Sequence, residues 1–112
     1  MELNQKEMGS VVVLELVGKV MGGPDATALN DKLHDLVEQG KKSVVVDLGQ
    51  VTSMNSSGLG ILISGLTTLR HAGGDLKLAN VTERIQNLLM ITKLKAVFES
   101  HETVDKAIAS FA

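Results

Sequence analysis

Groups able to do chemistry are concentrated in one stretch, Val44–Gly60, VVVDLGQVTSMNSSGLG. Ser56 and Ser57 offer adjacent hydroxyls, preceded by Asn55 and followed by Gly58 and Gly60. A buried strand passing through a polar turn into a glycine-punctuated helix start exposes hydroxyls and backbone N–H groups. The helix dipole favours negative charge at that place. The chemistry that suits such a junction is acceptance of an anionic group, above all a phosphate on a serine. Asn55, Ser56 and Ser57 are also three successive residues of the helix-capping type, where one would suffice. Glycine in a helix costs about 1 kcal/mol relative to alanine. Gly58 and Gly60 therefore imply a need for bare backbone and close approach. Both a well-capped tight turn and a functional site account for these residue types.

Other chemistries lack their parts. No lysine follows the glycines at 58 or 60, so the junction is not a phosphate-cradling P-loop. MNSSGLG lacks the Gly-x-Ser-x-Gly elbow, and no histidine is placed by sequence to activate Ser56. His34, His71 and His101 are widely spaced and read as surface residues without metal-ligand spacing. Asp47 closes an apolar run without the further carboxylates that a phosphoacceptor aspartate needs, and reads as a structural hydrogen-bonding residue. The sequence has no cysteine, which excludes disulfides, thiol nucleophiles and thiolate metal sites. The expectation is a protein that is not an enzyme and carries no cofactor or metal of its own.

The elements that must position the serines follow from periodicity. Residues 2–7 alternate weakly, residues 7–10 read as a turn, and VVVLELV at 11–17 is a β-branched strand, so the two form a hairpin. A loop at 22–25 places Pro24 and Asp25 at a helix start. Ala26, Leu29, Leu33, Leu36 and Val37 recur at helical spacing until Gly40. SVVVDL at 43–48 is a continuous apolar run, typical of a strand buried on both faces. Beyond the serine turn, Leu59, Leu62, Ile63, Leu66 and Leu69 give a second helix, closed by Gly73-Gly74. Ser57 is expected to cap it, with Met54, Leu59 and Leu62 in the core. Leu76 and Leu78 mark another strand, Thr82 caps a short helix, Val97 and Phe98 form a brief strand, and residues 104–111 form a last helix. The order ββαβαβαβα predicts an α/β fold with a mixed four- to five-stranded sheet, an N-terminal antiparallel hairpin and about four helices.

Bulk properties bound the rest. The 112 residues suit one domain, residues 1–112, with 44% hydrophobic and 21% charged content. A net charge of −2 leaves no footprint for nucleic acid or anionic membrane. With two phenylalanines and no Trp or Tyr, base stacking and sugar platforms are excluded, and the core must be aliphatic. No signal segment opens the sequence and no apolar stretch is long enough to span a bilayer, so a cytoplasmic location is expected.

Val45-Val46-Asp47-Leu48 followed by Met54-Asn55-Ser56-Ser57-Gly58-Leu59-Gly60 resembles the STAS domains of anti-sigma-factor antagonists. Gly18-Lys19-Val20 resembles that family's early strand end, and the element order agrees along essentially the whole chain. The resemblance implies a single STAS-like domain phosphorylated on the first serine, Ser56, by an anti-sigma-factor serine/threonine kinase. The unphosphorylated form binds that kinase, phosphorylation releases it, and a metal-dependent serine phosphatase resets the cycle. Asn55, Ser57, Gly58, Leu59, Gly60 and Met54 would support the site. One departure stands out: the family usually has Asp before the serines, and Asn55 keeps an oxygen acceptor without the charge. The alternatives are a non-switching STAS subunit of a larger signalling or transport assembly, or a binder of a small anionic ligand at the same helix start.

Overall fold

The computed structural model describes residues 1–111. Its five strands are β1 (Glu2–Met8), β2 (Val11–Val20), β3 (Ser43–Met54), β4 (Asp75–Ala79) and β5 (Glu99–His101). Four helices alternate with them: α1 (Pro24–Glu38), α2 (Ser56–His71), α3 (Glu83–Ile91) and α4 (Val104–Ala109). The sheet order is β1-β2-β3-β4-β5, with β1 antiparallel to β2 and every later pair parallel. The expected mixed sheet with an N-terminal hairpin and four helices is therefore the architecture of this chain.

Side-chain alternation assigns the two faces. Val12, Leu14, Leu16, Val44, Val46, Leu48, Leu76 and Leu78 point into the larger core beneath α1, α2 and α3. Val11, Val13, Val45 and Ala79 point the other way and meet α4 through Ala107, Val104, Ile108 and Phe111. Strands covered on both faces must be apolar on both, which explains the unbroken valine runs. Gly40, with φ 77°, ends α1 after its cap at Gln39, and Thr82 caps α3 by accepting from the Ile85 N–H, both as expected. At the start of α1, Pro24 occupies the first turn, but Gly23 is the cap and makes no side-chain hydrogen bond.

Two strands differ from expectation. β3 does not stop at Leu48 but continues to Met54, pairing with Val17–Val20 after register shifts at Glu15/Val17 and Gly18/Lys19. Val51 and Met54, both buried, anchor this extension. The polar turn read from Gly49 onward shrinks to Asn55 alone. The last strand is Glu99–His101 rather than Val97–Phe98. Phe98 is instead drawn into the larger core at 5% exposure, and the polar residues after it pair with β4.

What holds that polar strand is Lys77, on the α4 face and only 7% exposed. Its ammonium lies 2.9 Å from Glu99 Oε2 and donates to Ser110 Oγ at 2.8 Å and the Ser110 carbonyl at 3.1 Å. It also sits 4.3 Å from the centre of the Phe111 ring. His101 Nε2 lies 2.6 Å from the same Glu99 oxygen. A buried ammonium is tolerated only when paired and hydrogen-bonded, and here the pairing ties β4, β5 and the end of α4 together. Hydrogen bonds from His101 and then Lys77 lower the Glu99 pKa from its ordinary 4.5 to about 2. A carboxylate depressed in this way stabilises the fold above its unfolded pKa, and the contribution disappears as pH falls toward the folded one. Stability should accordingly decline between pH 4.5 and about 2 as Glu99 protonates. Half of the Glu99 side chain is exposed, so screening keeps the effect modest. Glu99→Gln should flatten part of that acid limb in urea midpoints measured against pH. Superimposable limbs would remove the network from the account of acid stability.

Candidate functional site

The serines stand where a long strand turns directly into a long helix, at the C-terminal edge of the parallel strands. Asn55 is the cap of α2: its backbone is extended, and Oδ1 accepts the Gly58 N–H at 2.9 Å. Ser56 and Ser57 are the first two helical residues, and both are exposed. The expectation that Ser57 caps the helix is corrected. A cap must precede the first helical residue with non-helical backbone, and α2 already begins at Ser56, so Ser57 lies inside the helix. Asn55 takes the role, which leaves both hydroxyls outside the capping interaction.

Gly58 answers the question of why bare backbone is needed. A Cβ there would collide with the Val20 carbonyl oxygen, fall 2.8 Å from its carbonyl carbon and 3.0 Å from Met54 Cγ. The close approach is therefore internal: the last residue of β2 presses on the first turn of α2. Gly60 is different, since a Cβ there would meet nothing within 4 Å and the residue is exposed. Leu59 and Leu62 lie in the core at 1% and 0% exposure, and Met54 beside them is buried. Of the seven residues singled out around the serines, the surface holds Asn55, Ser56, Ser57 and Gly60, while Met54, Gly58 and Leu59 support them from beneath.

Sequence reading missed two neighbours of the junction. The loop after β2 folds across the start of α2, and a Cβ at Gly22 would stand 3.0 Å from Ser57 Cβ. Gly22 has φ 96°, a left-handed conformation suited to glycine. Met21, next to it, is an exposed large apolar residue. On the other side, Arg84 Nη1 donates to the Thr52 carbonyl at 3.3 Å, tying the start of α3 to the end of β3. The signal for the loop was present in Gly22-Gly23. The contact from Arg84 spans 32 residues and has no local signature.

Electrostatically the site is open to added negative charge. The first turn of α2 carries no acidic residue, and Arg70 and His71 occupy its last turn, complementing the dipole at that end. His71, at the opposite end of this 16-residue helix, lies roughly 22 Å along the axis from Ser56. His101 is held by Glu99. Asp47 Oδ1 accepts from the Gly49 N–H and from Asn80 Nδ2, both at 3.0 Å, a bracing role in keeping with its reading as a structural residue. Among the described residues, no cluster of three or more histidine or carboxylate side chains is placed to hold a metal. No helix among them is long and apolar enough to cross a membrane.

Comparison with known proteins agrees with this geometry. A family-level match to the STAS domain spans residues 2–107, and the chain belongs to that family. The anti-sigma-B factor antagonist of Bacillus subtilis (strain 168) is 38% identical over 74 residues, covering 66% of this chain and 67% of that protein. An anti-sigma factor antagonist from Mycobacterium paratuberculosis superposes with a TM-score of 0.81 at 22% identity, covering 97% of this chain and 92% of that one. The Bacillus cell fate determinant SpoIIAA in its phosphorylated form gives a TM-score of 0.76 at 18% identity, covering 99% and 100%. At those identities the two solved structures establish the fold.

Substitutions separate these roles. Gly58→Ala should lower stability by about 1–3 kcal/mol or more through the clash with Val20. Gly60→Ala should raise stability by up to about 1 kcal/mol, since it meets open space in a helix. Equal urea midpoints for the two variants would contradict the internal-contact reading. In the same assay Asn55→Ala should cost about 0.5–2 kcal/mol, and Ser57→Ala should stay within about 0.5 kcal/mol of the parent. The reverse order would return the cap to Ser57.

Proposed function

We propose that this chain is an anti-sigma-factor antagonist switched by phosphorylation of Ser56. The unphosphorylated protein binds an anti-sigma-factor serine/threonine kinase, transfer of phosphate to Ser56 releases it, and a metal-dependent serine phosphatase restores the binding form. The observation that carries this reading is the exposed Ser56 hydroxyl on the first turn of α2, outside the capping interaction. Its setting in a STAS chain related to a protein named as an anti-sigma-B factor antagonist supports the choice of partner. ATP and metal belong to the kinase and phosphatase, and the chain supplies the acceptor hydroxyl and the docking surface around it.

The release step is local electrostatics. A phosphoserine brings about −1.5 to −2 charges at neutral pH. In the free protein these fall at the positive end of a 16-residue helix whose first turn holds no competing carboxylate. The fold can receive them without rearrangement. In a complex the same group would be stripped of water against the partner surface, and any acidic neighbour there would repel it. Charge and bulk at one position thus weaken the interface while the sheet and helices stay as they are.

Two measurements test the proposal. Mass mapping of the protein recovered from its own cells should place phosphate on Ser56. Pull-downs should then retain the kinase with Ser56→Ala and lose it by tenfold or more with Ser56→Asp, with matching circular dichroism for both variants. Absence of phosphate on Ser56 across growth and stress conditions would overturn the switch and leave the non-switching STAS subunit as the better account. A changed spectrum for Ser56→Asp would overturn the local mechanism.

A further inference from the structure

Two strands end the sheet, the three-residue β5 and the seven-residue β1. β1 has a neighbour only on its β2 side, so one row of its N–H and C=O groups is open to another strand. All of its residues except Leu3 are exposed. Its alternate residues Glu2, Asn4, Lys6 and Met8 pair with Val17, Glu15, Val13 and Val11, which puts them on the α4 side of the sheet. α4 packs mainly on β3, β4 and β5 and reaches Val11 and Val13 of β2, while the β1 edge of that face stays exposed. A groove of about 330 Å³ runs between β1 and the start of α4, lined by Asn4, Lys6, Met8 and Glu15 on the sheet and by Val104 and Asp105 on the helix among others. Among the described residues neither Glu2 nor Lys6 has an ion-pair partner, whereas Glu7 is paired with Lys41.

We propose that β1 pairs antiparallel with β1 of a second copy of this chain, with the two-fold axis at Asn4. The register follows from the charges. A two-fold perpendicular to the sheet sets residues of the same face opposite each other, so the axis must lie midway between the two copies of one residue, which then face each other. With the axis at Asn4, Glu2 of each copy faces Lys6 of the other, giving two opposite-charge cross-strand pairs. An axis at Gln5 would face Glu2 with Met8 and Asn4 with Lys6, and an axis at Lys6 would oppose two lysines. Lysine on an edge ordinarily repels stray strands. Here the alternation of sign admits a strand with the complementary pattern, and β1 itself carries it.

The pairing is isologous and closes as a dimer rather than propagating. The two copies run in opposite directions, so the C-terminal edges of their parallel strands, each bearing Ser56, face away from each other. Both serines remain accessible, and pairing is independent of the charge at Ser56.

Sedimentation velocity from about 10 µM to about 1 mM covers the range of weak reversible association. It should show a monomer–dimer equilibrium with the same constant for Ser56→Asp. Lys6→Glu or Glu2→Lys alone should weaken the dimer about tenfold, and the double variant Glu2→Lys/Lys6→Glu should recover it. Because the chain contains no cysteine, Asn4→Cys gives a single probe. Directly opposed residues are about 4.5–5.5 Å apart between Cα atoms, within disulfide reach. Mild oxidation should link Asn4→Cys to itself and leave Lys6→Cys unlinked, its two thiols being offset by roughly 13 Å along the strands. A monomer across the whole range would overturn the proposal. So would a dimer indifferent to both single charge reversals, or equal cross-linking at the two positions.

Discussion

The contact between the Val20 carbonyl and Gly58 is the constraint around which the site is built. It brings the end of β2 against the first turn of α2 at a distance that excludes any Cβ. With that distance set, Asn55 is the residue left to turn the chain from β3 into the helix, and its Oδ1 reaches the Gly58 N–H. The same glycine thus supplies the clearance on one side and the capped donor on the other. Ser56 and Ser57 follow as the first helical residues and are held at the surface. The exposed hydroxyls are a consequence of packing beneath them, and under the proposed switch a charge added there would meet a partner without needing movement of the fold.

A second, separate arrangement secures the far edge. Strand β5 is polar and three residues long, with little intrinsic claim to sheet structure. Lys77 compensates by drawing Glu99, Ser110 and the Phe111 ring around a buried ammonium. The apolar stem of the lysine fills the small core beneath α4 while its head satisfies the groups that close it. The smaller face of the sheet is therefore organised by a charge, and the larger face by aliphatic burial.

These contrasts explain what was legible in the sequence. The valine runs of β2 and β3, the 3.6-residue spacing of α1 and α2, and the glycines at 40 and 73 report local preferences, and they placed the elements correctly. The serine junction was also legible, because strand, cap residues and glycines are adjacent in the chain. Three features were not. The continuation of β3 through Gly49–Ser53 depends on register shifts against β2, a non-local partner. Ser57 had as good a claim to the cap as Asn55 until the start of α2 at Ser56 decided between them. Phe98 was read as a strand residue because it is apolar, yet it belongs to the core beside a strand made of polar residues.

The neutral cap bears on how the switch would behave. An aspartate at position 55 would satisfy the same Gly58 N–H and add a favourable charge to the helix end. It would also hold a negative charge one residue from any phosphate on Ser56, and like charges that close oppose each other. With Asn55 the cap keeps its acceptor oxygen while the first turn of α2 holds no carboxylate of its own. A phosphate on Ser56 would then be the first anion in that turn rather than the second. Under the proposed switch, a phosphorylated form of this chain would be spared repulsion from its own cap residue, so the opposition needed for release would have to come from the surface of the partner.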